Sequence, residues 1–130
     1  MSLKIQPDFR YAKTDEWVRV EGEEAVIGIS DYAQDALSDI VYVELPSAGD
    51  TFEAGKPFGV VESVKAASDV LMPVDGEVVA VNDAAVDSPE SLNTDPFGTW
   101  LVRVRMSDPS QVDALMDAAA YEGYCATREH

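Results

Sequence analysis

Lys65 is the residue in this chain whose type and setting best suit chemistry. It lies in "GVVESVKAASDVLMPVDGEV", residues 59–78, and is one of only four lysines among 130 residues. A solvated turn lysine is the commoner case, but three features count against it. The flanks are β-formers, Val60, Val61 and Val64 before it and Val70 and Leu71 after. Ala66 and Ala67 are small and let another protein approach. Glu62 and Asp69 bracket the amine three residues before and four after. A primary amine on a stiff, protruding hairpin is a good nucleophile for an acylating enzyme. The product is a rigid base with a long mobile tether, which is what a carrier domain needs. Glu62, Ser63, Val64 and Ala66 are the candidate recognition residues for that modification. Lys4, Lys13 and Lys56 have no such hairpin around them.

The surrounding elements are mostly short strands. "EWVRVEGEEAVIGIS" reads as strand, Glu-Gly turn, strand. "DYAQDALS" reads as a short helix capped by Ser30 or Asp31. "DIVYVEL" is a strand that Pro46 ends, and "FGVVESV" and "SDVLM" flank Lys65. "GEVVAVN" follows Asp75-Gly76, a strong hairpin signal, so the lysine hairpin is expected over about 59–79. "DSPESLN" is a turn or one helical turn. In "WLVRVRM", Trp100, Val102, Val104 and Met106 face one way and Arg103 and Arg105 the other. From Pro109 the period changes. Val112, Leu115, Met116 and Ala119 fall at helical spacing with Asp113 and Asp117 on the far face, which predicts a C-terminal amphipathic helix over about 109–121. A faint repeat at a shift of 27 relates "VELPSAGDTF" to "VLMPVDGEVV". The expectation is one domain over 1–130, a β-rich sandwich or flattened barrel with minor helices.

Composition removes several function classes. Twenty-five acids against nine bases give a net charge of −16 and a pI near 4.1. Such a surface repels phosphate backbones and anionic membranes, which argues against nucleic-acid and membrane partners. The acids either solubilise the surface or steer it towards basic docking faces on partner proteins. No apolar run approaches the roughly 20 residues that span a bilayer. "MSLKIQPDFR" lacks signal-peptide and transit-peptide character, so a cytoplasmic protein is expected, or a chain whose leader is missing. Cys125 is the only cysteine, so no internal disulfide forms, and His130, the only histidine, is the last residue. The chain has no Ser/His/Asp set, no phosphate-cradling glycine loop and no metal cluster, so it is expected not to be an enzyme.

"ESVKAASDV" followed by "PVDGEVV" resembles the lipoylation hairpin of the glycine cleavage system H protein family. Biotin carrier domains tend to have Met on both sides of the lysine, where Val64 and Ala66 stand here. "DEWVRVEG", "AVIGISDYAQDALSDIVYVELPSAGD", "SPESLNTDPFG" and the closing "EGYC" are similar to family segments in the same order. The resemblance implies a lipoyl/biotinyl-type barrel-sandwich hybrid of two packed small sheets. It implies lipoic acid in amide linkage on Lys65, attached by lipoate-attaching enzymes. It also implies a shuttle. A pyridoxal-phosphate glycine decarboxylase (P protein) loads an aminomethyl group, and a tetrahydrofolate-dependent aminomethyltransferase (T protein) takes it. Dihydrolipoyl dehydrogenase (L protein) then reoxidises the arm. By position, Thr14, Glu16 and Asp69 match the family residues lining the cleft where the loaded arm parks. In sequence, ordinary solvated acids would look the same as Glu16 and Asp69.

Three departures stand out. Asp15 replaces the family's His in "DEW", Ser38 replaces its usual Gly, and "DPFGTWL" is one residue shorter than the usual loop. With a carboxylate at Asp15, a role that shares or replaces that of Glu16 is expected. Two other carrier readings remain open at this stage. One is a relay that passes lipoate to other complexes; the other is a biotin or lipoyl carrier of a different multienzyme system.

Overall fold

The computed structural model describes residues 4–128. His130 lies outside them. Nine strands are described: β1 (Arg10–Tyr11), β2 (Glu16–Glu21), β3 (Glu24–Ile29), β4 (Ile40–Glu44), β5 (Thr51–Phe52), β6 (Pro57–Ser63), β7 (Ala67–Leu71), β8 (Gly76–Val81) and β9 (Val102–Met106). They form two antiparallel sheets, one in the order β1-β2-β3-β9-β8-β5 and one in the order β4-β6-β7. The sheets pack face to face as an open sandwich. Period-2 alternation fixes the inner faces: Val18, Ala25, Ile27, Val78, Val102 and Val104 from the large sheet meet Ile40, Val43, Val61 and Val70 from the small one. The expected outward turn of Arg103 holds; it pairs with Glu21 and Glu24 at the surface. Helix α1 (Asp31–Leu37) takes Ser30 as its cap, whose hydroxyl accepts from Ala33 N–H at 3.2 Å. Two short helices, α2 (Asp83–Asp87) and α3 (Ser91–Thr94), precede β9.

The faint repeat corresponds to two equivalent crossings between sheets. β4 leads to β5, and β7 leads to β8, each passing from the small sheet to the large one through Pro46 or Pro73. Asp75-Gly76 therefore does not close a hairpin: β8 pairs with β9 and β5, not with β7. The lysine hairpin is residues 57–71, and the expected extension to 79 leaves it for the other sheet. Gly49 has φ +99°, a turn conformation that suits glycine. Gly76 serves another need, since a Cβ there would lie 2.7 Å from the Arg105 carbonyl oxygen. Asp75 is tied instead to the neighbouring turn, its carboxylate accepting from Ala54 N–H at 2.6 Å.

The C-terminal region also differs from expectation. Residues 109–121 are not one helix. A 3₁₀ turn (Pro109–Ala114) ends at Leu115, and α4 runs Ala118–Ala126. Between them Met116 is extended and exchanges both backbone hydrogen bonds with Tyr11, at 2.8 and 2.9 Å. Asp117, which patterned as a solvent-facing helix residue, is the cap of α4 and accepts from Ala120 N–H at 2.8 Å. Of the predicted buried face, Val112 is buried, Leu115 and Met116 are half-buried, and Ala119 is exposed. α4 packs through Tyr121 and Cys125 into a second cluster with Tyr11, Trp17, Tyr32 and Phe97. The Tyr11 and Tyr121 rings stack at 4.4 Å.

Candidate functional site

Lys65 lies at the tip of the β6–β7 hairpin and is exposed. Ser63 pins the turn. Its backbone N–H donates to Ala66 C=O at 2.7 Å, while its hydroxyl oxygen accepts from the N–H groups of Lys65 (3.2 Å) and Ala66 (3.1 Å). Val64 N–H donates to Asp39 C=O at 3.0 Å, which ties the tip to the start of β4. The lysine backbone is thus fixed on both sides while its side chain projects outward. Among the described residues the ammonium makes no ion pair; neither Glu62 nor Asp69, which bracket it in sequence, closes on it. Glu62 is half-buried opposite Ala67, and Val64 and Ala66 are exposed.

Glu16 opens β2 but points towards β7. It is 2% exposed, so it is not an ordinary solvated acid. Thr14 O–H donates to one carboxylate oxygen and Leu71 N–H to the other at 3.2 Å. β7 is an edge strand, so Glu16 covers part of an otherwise open edge on the strand that descends from Lys65. No cation pairs with it among the described residues. Burial pushes its carboxyl up from an ordinary 4.5 to about 7, against the opposing pull of the Thr14 and Leu71 hydrogen bonds. Thr14 is brought to Glu16 by its hydrogen bond. Asp69 stands two residues before Leu71 on β7 and is exposed.

Asp15 makes no hydrogen bond to Glu16. Its backbone adopts φ +78° and its carboxylate turns to α4. Tyr121 O–H donates to it at 2.7 Å, and Arg128 holds it through two N–H donors at 2.6 and 3.1 Å. The Arg128 guanidinium lies over the rings of Tyr32 and Tyr124, at 3.8 and 4.2 Å from their centroids. The expectation that Asp15 shares or replaces the role of Glu16 is therefore corrected: its carboxylate is already paired with Arg128 on the other side of the turn.

The chain as a whole has counterparts of known family. The family model described as glycine cleavage H-protein matches residues 9–128. The chain belongs to the glycine cleavage H-protein family. It is 52% identical over 125 residues to glycine cleavage system H protein 1 of Caldanaerobacter subterraneus subsp. tengcongensis, covering 96% of this chain and 100% of that one. It is 51% identical over 122 residues to the glycine cleavage system H protein of Myxococcus xanthus, covering 93% and 95%. The crystal structure of a glycine cleavage system H protein from Mycobacterium marinum superposes with a TM-score of 0.87 at 38% identity, covering 94% and 99%. Family membership makes the chain a non-catalytic carrier subunit of the glycine cleavage system.

Two contacts escaped the sequence. Arg128 gives no motif, and its only cue is that Tyr121, Cys125 and Arg128 fall at spacings of four and three on α4 and just beyond it. The Leu71 N–H is a backbone group, so no residue type could announce it. The family's usual glycine position, Ser38, has φ +71° and ψ −149°. Among the described residues no helix is long and apolar enough to cross a membrane.

Proposed function

We propose that Lys65 carries lipoic acid as an amide and that the chain shuttles the aminomethyl group of glycine within the glycine cleavage system. The observation that carries this reading is the free, exposed Lys65 amine on a hairpin whose backbone is fixed by Ser63 and Asp39. The lipoyl dithiolane supplies a sulfur that takes the aminomethyl group from glycine decarboxylase and yields it to aminomethyltransferase, with dihydrolipoyl dehydrogenase restoring the disulfide. The chain contributes anchoring and shelter. The hairpin keeps the tether base still. Glu16, with Thr14 beside it and Asp69 further along β7, receives the cationic nitrogen of the loaded arm. A buried carboxylate without a cation is costly, and an arriving ammonium group offsets that cost. A lipoate relay would use the hairpin alone and gives the buried Glu16 no task.

Intact mass of the apo-protein after incubation with a lipoate ligase tests this. The wild type is expected to gain one lipoyl mass located on Lys65, and Lys65→Arg none. A lipoyl gain on Lys65→Arg would sink the assignment.

A further inference from the structure

Among the described residues five large apolar side chains are well exposed, and three of them gather at the lysine hairpin: Val41 (57%), Tyr42 (45%) and Val64 (66%). The cause is local. Ile40 pairs with Ser63 and faces the core, and Val43 pairs with Val61 and faces the core. Between them the register slips, so that Val41 and Tyr42 follow one another with Glu62 opposite, and both reach solvent. The Val64–Asp39 hydrogen bond brings the tip against the same strand. A bulge that exposes two successive apolar residues costs solubility and contributes nothing to the core. Around the patch stand Asp39, Glu44 and Glu62, and Lys65 is the only basic residue on β4, β6, β7 and the connecting turn.

We infer that this outer face of the small sheet is the docking surface of the enzyme that acylates Lys65, an enzyme with an apolar rim and basic flank beside its acyl-transfer cleft. The inference rests on the reading of Lys65 as the lipoylated residue. Reach selects the occupant. Once lipoylated, the arm more than doubles the span of the lysine, so other enzymes need not press onto its base. Before that, the amine reaches no further than its own side chain. The acylating enzyme must therefore bring its cleft down onto the hairpin tip and touch what lies beside it. There the Lys65 amine attacks the acyl carbonyl of lipoyl-adenylate. The C–N bond forms, the acyl–phosphate bond breaks, and AMP and a proton leave. An acidic rim favours a basic partner face and speeds its encounter.

The test is the initial rate of lipoylation of apo-protein by a lipoate ligase supplied with lipoyl-adenylate, read by intact mass. Val41→Ser/Tyr42→Ser is expected to lower kcat/KM about 30-fold, chiefly through KM, as loss of an interface anchor does. Val20→Ser, an exposed apolar residue on β2, is expected to leave the rate unchanged. Raising salt is expected to slow the wild type. Double variant lipoylated by long incubation is expected to be reoxidised by dihydrolipoyl dehydrogenase at the wild-type rate, which shows an intact arm. If the double variant no longer melts cooperatively, Val41→Thr and Tyr42→Thr carry the same test singly. Lipoylation of the variants at the wild-type rate would overturn the inference. So would a defect confined to loading by the decarboxylase or transfer by the aminomethyltransferase, which would give the face to those enzymes. A wild type that takes no lipoate on Lys65 would instead end the functional reading.

Discussion

Asp15 and Glu16 are neighbours in the chain, yet they serve two regions with opposite electrostatics. On one side of the turn Asp15 faces α4, where Arg128 and Tyr121 satisfy it, and Tyr124 O–H donates to the nearby Lys13 carbonyl at 3.1 Å. On the other side Glu16 faces β7 with two hydrogen-bond donors and no cation. A completed ion pair fastens the C-terminal helix to the sheet. An incomplete one leaves an unfavourable charge beside the strand that descends from Lys65, and under the proposed function a cation arriving there completes it. The difference distinguishes a paired carboxylate from an unpaired one, and it gives the two sites stability effects of opposite sign.

Glu16→Gln breaks the comparison hardest. The folded Glu16 binds a proton up to about pH 7, the unfolded one only up to 4.5. Between those values the native state holds more protons, so the wild type loses stability as pH rises from 4.5 through 7. The full penalty stands above pH 7 and is roughly 3 kcal/mol at 1.36 kcal/mol per unit. Glu16→Gln is therefore expected to be the more stable protein at pH 8 by about that amount and nearly equal to wild type at pH 4.5, in urea unfolding at the two pH values. The same variant is expected to release the aminomethyl-loaded arm, shortening the lifetime of the loaded free protein about ten- to a hundred-fold by mass spectrometry, the loss of one charge-assisted hydrogen bond. Because Asp15 is engaged by Arg128, no second substitution at Asp15 is needed to see it. An unchanged lifetime would place the parked arm elsewhere.

Arg128→Met sharpens the other half. It leaves Asp15 and the rings of Tyr32 and Tyr124 without their cation and is expected to cost about 2 kcal/mol at pH 7. The loss should be visible as a lower urea midpoint and early amide exchange in α4. Lipoylation of Lys65 is expected to be untouched. If Arg128→Met were neutral, the Asp15 pair would be a surface contact rather than a fastening.

These two sites also show what a sequence can and cannot reveal. Lys65 was legible because a β-hairpin with small residues beside one lysine is a local pattern, and Val102–Met106 because alternation is local too. The burial of Glu16 was not, since it depends on an edge strand 55 residues away whose backbone N–H has no letter code. Asp75-Gly76 misled because a tight hairpin and a crossing between sheets use the same dipeptide; pairing partners far along the chain decide between them. Asp117 misled for a similar reason. A cap and a polar face residue look alike until the Tyr11–Met116 bridge breaks the helix before it.

The smallest expected effect separates two residues that share an unusual backbone. Asp15 and Ser38 are the non-glycine residues with positive φ among those described. Asp15 is compensated by Arg128 and Tyr121, so relieving its backbone strain would forfeit more than it returned. At Ser38, φ +71° with ψ −149° lies close to a region that side chains avoid, at a cost of about 1–3 kcal/mol. The turn is held from outside by Asn93, whose amide donates to Ser38 C=O at 2.8 Å and whose oxygen accepts from Ile40 N–H at 2.8 Å. The Ser38 side chain makes none of these contacts, so removing it leaves the clamp intact. Glycine adds about 0.4–1 kcal/mol of unfolded-chain entropy, which subtracts from the strain relieved. Ser38→Gly is therefore expected to stabilise the protein by about 1 kcal/mol, a rise in Tm of about 3 °C for a chain of this size. The rise should be the same at pH 5 and pH 8, because no titrating group is involved, unlike the gain from Glu16→Gln. A fall in Tm would mean that the serine side chain stabilises the turn in a way that outweighs its backbone strain.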